Sequence, residues 1–379
     1  MNLLHLVDGF RKRFKAEPRV FRAPGRVNLI GEHTDYNDGF VMPAAIHFAT
    51  YVAVNERDDT SVSVYSHTLR EAFEFDLTRP GKFGGWRDYV AGTAYALQER
   101  GVKLAGANLY IDSDVPLGAG LSSSAALEVA TARALLSVAR ANVDPLAIAL
   151  ACQRAENEYV GVRSGIMDQF VSCFGLQGHA LMIDCRTLDY EALPLPPGVV
   201  LVVCNTMVKH ELTGGEYNER RADCEEGSRL LGVAALRDVT VEAIHDRGRT
   251  LPERVHRRCR HVVTENERVE LAADALRKHD CSRFGELMYD SHRSLREDYE
   301  VTCEELDLMV NLAREVNGVY GARMTGGGFG GCTINLVADD AVERFQRSVA
   351  DAYRERTGIK PMLYVTAAHD GAGEIVLAG

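Results

Sequence analysis

Pro24-Gly-Arg-Val-Asn-Leu-Ile-Gly-Glu-His-Thr-Asp-Tyr36 decides the reading of this chain. Val27, Leu29 and Ile30 lead to Gly31 and then to Glu32, His33, Thr34, Asp35 and Tyr36 without an apolar break. A half-buried strand alternates apolar and polar residues, so this segment reads as a strand running into a site. Carboxylates accept hydrogen bonds, His33 can donate or accept, and Arg26 carries fixed planar donors; the set suits a polyol beside an oxyanion. The bland alternative, from these residues alone, is an exposed charged turn.

Two glycine-rich segments weigh against that alternative. Val115-Pro-Leu-Gly-Ala-Gly-Leu-Ser-Ser-Ser-Ala-Ala-Leu-Glu128 follows the strand-like Asn108-Leu-Tyr-Ile-Asp112 and leads into a helix-forming run from Ala125 to Ala141. Strand, Gly/Ser loop and helix start in that order aim backbone N–H groups and a helix dipole at phosphate. Ser122, Ser123 and Ser124 can each cap the helix, bind phosphate oxygen or ligate a divalent metal. The Walker A spacing is absent, as are the His-Arg-Asp and Asp-Phe-Gly signatures of protein kinases, and Gly120-Leu-Ser-Ser-Ser124 lacks the second glycine of a hydrolase elbow. The second segment, Arg323-Met-Thr-Gly-Gly-Gly-Phe-Gly-Gly-Cys332, contains a formal dinucleotide fingerprint. It leads into the β-rich Cys332-Thr-Ile-Asn-Leu-Val337 rather than a helix, so we read a loop entering a strand, free of side chains that would block a ligand or the first loop.

Together these three segments resemble the three motifs of the GHMP small-molecule kinases, and Gly31-Glu-His-Thr-Asp-Tyr-Asn37 is similar to the galactokinase version of the first. The resemblance continues through Cys152-Gln-x-Ala-Glu156, Gly165-Ile-Met-Asp-Gln-Phe170 and Tyr217-Asn-x-Arg-Arg221 and fades over roughly 232 to 280. It implies an α+β, bilobal fold of two mixed α/β domains, 1–193 and 194–379, with the site in the cleft between them. It implies ATP-dependent phosphorylation of galactose at the anomeric hydroxyl, with ATP as co-substrate and Mg2+ as the metal. Asp168 would be the catalytic aspartate and Arg26 the arginine beside it. Glu32, His33, Thr34, Asp35, Gly165 and Tyr217 would bind the sugar. Gly118, Ala119, Gly120, Leu121, Ser122, Ser123 and Ser124 would hold the nucleotide phosphates, with Trp86 near the base or simply packed in the core. Ser124 and Glu156 would ligate the metal. His47 stands where many relatives carry an acidic residue. A kinase for a related sugar, N-acetylgalactosamine or arabinose, and a non-catalytic sugar and ATP sensor are the alternatives; the intact Asp168, Arg26 and Ser124 disfavour the sensor.

Composition fits a soluble enzyme. The 379 residues favour two domains, and 54 acidic against 43 basic residues leave a net charge of −11 without a basic patch for nucleic acid. That charge opposes an anionic nucleotide globally, so local donors and a metal must hold it. Nine cysteines without a Cys-x-x-Cys pair predict free thiols. The N-terminus has the wrong order for a secretory signal, and no apolar run is long enough to span a membrane, so a cytoplasmic monomer without membrane or nucleic-acid partners is expected. Alternation predicts strands at Phe48–Asn55 and Ser61–Ser66, joined as a hairpin through Asp58-Asp59. Leu3, Val7, Phe10 and Phe14 share a helical stripe, and Asp144-Pro145 starts a helix. Leu193-Pro-Leu-Pro-Pro-Gly198 is the linker candidate, and Val199 to Cys204 a buried strand. Helices are predicted near 217–231, 255–279, 302–317 and 340–357, with capping boxes at Thr302 and Asp340 and stops at Gly318 and Gly358. His256 and His261, on a charged helix, read as solvated surface.

Overall fold

The computed structural model describes residues 3–79, 81–116, 118–208 and 213–376. In chain order these form α1 (Leu3–Phe14), β1 (Arg19–Asn28), β2 (Phe40–Val41), β3 (Pro43–Glu56), β4 (Ser61–Ser66), β5 (Glu71–Asp76), α2 (Trp86–Glu99) and β6 (Ala107–Ser113). Next come α3 (Ser123–Val138), α4 (Pro145–Arg154), a π-helical turn at Ala155–Val160, α5 (Met167–Phe174), β7 (His179–Asp184), β8 (Tyr190–Pro194) and β9 (Val199–Asn205). The remainder is α6 (Thr213–Leu231), α7 (Val241–Arg247), α8 (Glu253–Arg277), α9 (Cys281–Ser294), a second π turn at Leu295–Tyr299, α10 (Glu304–Arg314), β10 (Val319–Thr325), β11 (Cys332–Ala338), α11 (Val342–Thr357), β12 (Met362–Thr366) and β13 (Gly373–Ile375).

The first lobe is a six-stranded sheet in the order β13-β1-β3-β6-β4-β5. Strand alternation sorts its two faces. Val20, Ala53 and Tyr110 meet Leu6, Val7 and Phe10 of α1, whereas Phe21, Val52, Val54, Leu109 and Ile111 face the layer of α2, α3, α4 and α5. The second lobe repeats the device on a four-stranded antiparallel sheet, β10-β11-β9-β12. There Leu201 and Val203 pack on Phe284, Leu287 and Met288 of α9, and Val202 and Cys204 on Phe345 and Tyr353 of α11. The apolar layer below the cleft is shared, since Val27, Leu29 and Ile30 join the cluster of Leu201, Ile334 and Phe284.

Two expectations are corrected by the fold. Strands β3 and β4 do not pair; β6 lies between them, antiparallel to β3 and parallel to β4. The turn at 57–59 instead straddles the start of β6, exchanging Arg57 N–H to Gly106 O and Gly106 N–H to Asp59 O. The capping boxes also fail: α10 begins after Cys303 and α11 after Ala341, neither with a side-chain cap. Gly358 does close α11 in the left-handed conformation (φ 74°), while α10 stops at Arg314, ahead of Gly318. Asp144 caps α4 with Pro145 in the first turn, Leu193 and Pro194 belong to β8, and all nine cysteines are free thiols.

Candidate active site

A cavity of about 440 Å³ opens between the lobes. One wall is the loop after β1. Its backbone is pinned from α8: Glu265 accepts from Gly31 N–H (2.9 Å), Asn266 from Phe40 N–H (2.9 Å), and His261 Nε2 donates to the Glu32 carbonyl (3.1 Å). His261 is therefore no surface residue, correcting the sequence reading; it is wholly buried, and burial pushes its pKa down to about 4. A carbonyl can only accept, so Nε2 carries the ring proton and Nδ1 accepts from Ser294 Oγ (2.9 Å). Thr34 is wholly buried and does not line the cavity; its hydroxyl, donating toward Phe40 O (2.6 Å) and Gly31 O (3.0 Å), ties the loop to itself. With the backbone fixed, His33 is held at φ 63°, an uncommon conformation that tertiary contacts must maintain.

Glu32, His33 and Asp35 line the cavity from this loop. Glu32 accepts from Gly326 N–H (2.6 Å) and lies 3.6 Å from the Arg323 guanidinium, while burial raises its pKa against both nearby arginines. Burial drives His33 down to about 3, so its ring is neutral; Nε2 faces Gly327 O (3.3 Å) and Nδ1 meets the Tyr36 hydroxyl (2.7 Å). Asp35 is pushed up to about 7, first by burial and then by the charges of Asp168 and Glu32. A Cβ on Gly165 would stand 2.8 Å from Asp35 Cβ and closer still to its carboxylate, so glycine is what lets the 165 backbone and Asp35 share one corner. Tyr217 also lines the cavity, with its ring 5.4 Å from His33.

Arg26 and Asp168 meet on the cavity wall. The guanidinium grips both carboxylate oxygens, Nε to Oδ1 and Nη2 to Oδ2, each at 2.8 Å, and its Nη1 donates to Gly120 O (2.6 Å). Such a fork matches carboxylate geometry and fixes orientation. Burial works against the Arg26 charge, yet Asp168 and Glu32 hold its pKa above the ordinary value. Ser122, in the left-handed region at φ 56°, makes no helix cap; its hydroxyl donates to Asp168 Oδ2.

Gly118, Gly120, Leu121, Ser123 and Ser124 line the cavity with Ser122 at the start of α3, whereas Ala119 is buried behind them. The hairpin loop 326–331 presses on this turn. A Cβ on Gly326 would stand 2.8 Å from Gly120 O, so two backbones meet where side chains would separate them. The sequence named none of these residues individually as site residues, but the expected close approach of a side-chain-free loop to the first loop is present, and 326–331 line the cavity from the second lobe. Trp86 lies outside the main cavity, in a smaller adjoining hollow with Thr68, Leu69, Tyr89, Ser123 and Ser124, and its Nε1 donates to Glu71 (2.9 Å). His47 is exposed, pairs with Thr366 Oγ1 (2.9 Å) and does not reach the cavity.

Glu156 projects from the π-helical turn, a feature often found at functional sites. It accepts from Ser164, a residue the sequence reading passed over, from Gln169 Nε2 (2.9 Å) and from Ser124. Burial raises its pKa, with Asp168 adding to the effect. Among the described residues no three His, Cys, Asp or Glu side chains converge as a cage. One hydroxyl and one buried carboxylate instead fit a hard cation that keeps waters and takes further oxygens from phosphate.

Three family models match the chain: a galactokinase galactose-binding signature over residues 8–56, the GHMP kinase N-terminal domain over 88–176 and the GHMP kinase C-terminal domain over 272–355. The chain is 46% identical to a galactokinase of Roseiflexus sp., covering 98% of this chain and 97% of that protein, and 49% identical to one of Chloroflexus aurantiacus, covering 97% and 96%. It superposes on the crystal structure of Lactococcus lactis galactokinase complexed with galactose with a TM-score of 0.95 at 38% identity, covering 98% of this chain and 100% of that one. A mevalonate kinase of Methanococcus jannaschii shares the fold, with a TM-score of 0.69 at 17% identity, covering 94% and 100%.

Proposed function

Because the chain belongs to the galactokinase family of GHMP kinases, we propose how its cavity moves the terminal phosphoryl group of ATP onto the anomeric hydroxyl of galactose. The family's reaction is ATP-dependent galactose phosphorylation, and this chain matches its members over nearly full length. The observation that carries our assignment of roles is the Arg26–Asp168 fork, set between the sugar-facing loop and the Gly/Ser turn.

Asp168 receives the anomeric hydroxyl. Both of its oxygens are already engaged, by Arg26 and Ser122, which fixes the orientation of the carboxylate. Orientation of the nucleophile is its main contribution; as the new O–P bond forms and the bond from the terminal phosphorus to the ADP oxygen breaks, the hydroxyl proton passes to the Asp168 carboxylate. Arg26 stabilises charge on the transferring group in the transition state. The N–H groups of Gly118 to Ser124, at the start of α3, hold the nucleotide phosphates, and the hollow beside Trp86 takes the base. Ser124 and Glu156 would hold a Mg2+ ion arriving with ATP, which would supply positive charge against the phosphates.

Glu32, His33, Asp35 and Tyr217 hydrogen-bond the sugar, with the Gly165 backbone closing the same corner. Thr34 contributes by fixing the loop. The division into domains 1–193 and 194–379 needs one amendment, because β13 (Gly373–Ile375) returns to pair with β1 in the sheet of the first lobe; the free thiols suit a reducing cytoplasm. A panel of sugars with ATP and magnesium, read by which hydroxyl carries phosphate, tests the reading. Galactose 1-phosphate is expected, with glucose disfavoured. An acceptor left unpaired by the epimer costs about 1–3 kcal/mol, enough for about fivefold to 150-fold selectivity. Equal kcat/KM for the two sugars would overturn the sugar assignment, and preference for N-acetylgalactosamine would redirect it.

A further inference from the structure

Behind the cavity, Gln169 and Glu128, which the proposed chemistry leaves unused, meet the side chain of Glu156. Gln169 follows Asp168 in α5 and is wholly buried. Its Nε2 donates to Glu156 Oε2 at 2.9 Å and to Glu128 Oε2 at 3.0 Å, so the two amide hydrogens serve two different carboxyl groups. Glu128 lies on α3 one turn beyond Ser124, wholly buried. Among the described residues no cation is paired with it, and its Oε1 has no hydrogen-bond partner. The alternative amide orientation would turn Gln169 Oε1 toward both carboxyl oxygens and forfeit both bonds.

Glu156 needs such a support. It sits on a π-helical turn, where the hydrogen-bonding ladder of the helix is locally replaced, and among the described residues its side chain is steadied by Ser164, Gln169 and Ser124. Of these, Gln169 approaches from the interior side, outside the set of residues that line the cavity. Glu128 gives the amide a second anchor, so the amide cannot rotate away without losing two bonds.

We infer that Gln169 is a positioning residue for the reaction: anchored on Glu128, its amide sets the Glu156 carboxylate against Ser124 so that the remaining oxygen lone pairs meet a divalent cation. This rests on the reading of Ser124 and Glu156 as metal ligands. Partners of this kind behind a metal ligand are commonly worth about 10-fold to 100-fold in metal affinity. The anchor acts by shape and hydrogen-bond acceptance, so an amide at position 128 serves as well as a carboxyl.

The test measures Mn2+ affinity by electron paramagnetic resonance in the presence of ADP, alongside the Mg2+ concentration for half-maximal galactose phosphorylation. Gln169→Leu should weaken Mn2+ binding and raise the Mg2+ requirement by about tenfold or more, with the galactose KM unchanged. Glu128→Ala should shift both in the same direction, and Glu128→Gln, which keeps an acceptor for the amide, should restore most of the loss. Gln169→Asn guards against misfolding of the leucine variant; its shorter amide reaches at most one carboxyl and should fall between. Unchanged metal binding in folded Gln169 variants would overturn the inference, as would failure of Glu128→Gln to rescue. Glu156→Ala, measured in parallel, separates the two readings. If it too leaves Mn2+ binding intact, the ligand assignment itself fails; if it weakens binding while Gln169→Leu does not, only the positioning role falls.

Discussion

Adding one methyl group at residue 165 should break sugar recognition without touching the nucleotide site. Gly165 does not adopt a left-handed conformation, so alanine is acceptable to the backbone and the effect is purely steric. The new Cβ would lie 2.8 Å from Asp35 Cβ and closer to Cγ and Oδ2, where ordinary contact begins at 3.4 Å. The carboxylate must therefore retreat by about 1 Å, a misplacement that can cost on the order of 100-fold in rate, or about 2.7 kcal/mol. Tyr36 N–H, which donates to Asp35 Oδ1 at 3.0 Å, resists the retreat and adds strain. Steady-state kinetics of Gly165→Ala should show kcat/KM for galactose falling by about that factor, with ADP affinity intact. The decisive control is a double-mutant cycle. In an Asp35→Gly background the clash has no partner, so Gly165→Ala should add little further loss. Wild-type kcat/KM in Gly165→Ala, or a full additional loss in the double variant, would refute the reasoning.

The same geometry makes further outcomes testable. Burial and the charges of Asp168 and Glu32 raise the pKa of Asp35 to about 7, so its carboxyl is protonated below that pH. Galactose hydroxyls donate best to the ionised form, and affinity should rise as pH climbs through about 7, an effect absent in Asp35→Asn. The linkage has the opposite sign for the sugar-free protein. A folded-state pKa above the unfolded one means stability is lost as pH rises through about 7, so its melting temperature should drop over that range unless galactose is present. His261→Leu leaves the Glu32 carbonyl without its buried donor and should destabilise the protein by about 1–3 kcal/mol in denaturant unfolding. Arg26→Ala should lower kcat more than it raises KM, and Arg26→Lys should not restore it, because an ammonium cannot grip both oxygens of Asp168.

Local pattern was legible where short-range physics decides the outcome. Val199 to Cys204 alternates between two buried faces, and the glycines after Thr325 open a loop between strands, both visible in the sequence. Pairings that depend on distant segments were not. The expected β3–β4 hairpin gives way because β6, more than forty residues after β4 begins, inserts between the two. His261 looked solvated on a charged helix because its partner, the Glu32 carbonyl, lies 229 residues away in the chain. Ser122 has the features of a helix cap, yet its hydroxyl turns to Asp168, a contact that exists only once α5 packs against α3. Within the site, Glu32, His33 and Asp35 lie on the cavity wall, whereas Thr34 beside them faces its own loop. Ser164, adjacent to a recognised motif, became visible only through its bond to Glu156.

The central claim is that Asp168, gripped by Arg26, orients the anomeric hydroxyl for phosphoryl transfer. Asp168→Asn measures it most directly, with turnover and the binding of galactose and ATP determined on the same folded protein. The account predicts that kcat falls by orders of magnitude while both dissociation constants stay close to wild type. A near-normal kcat, or a loss of activity explained entirely by weakened binding, would contradict it.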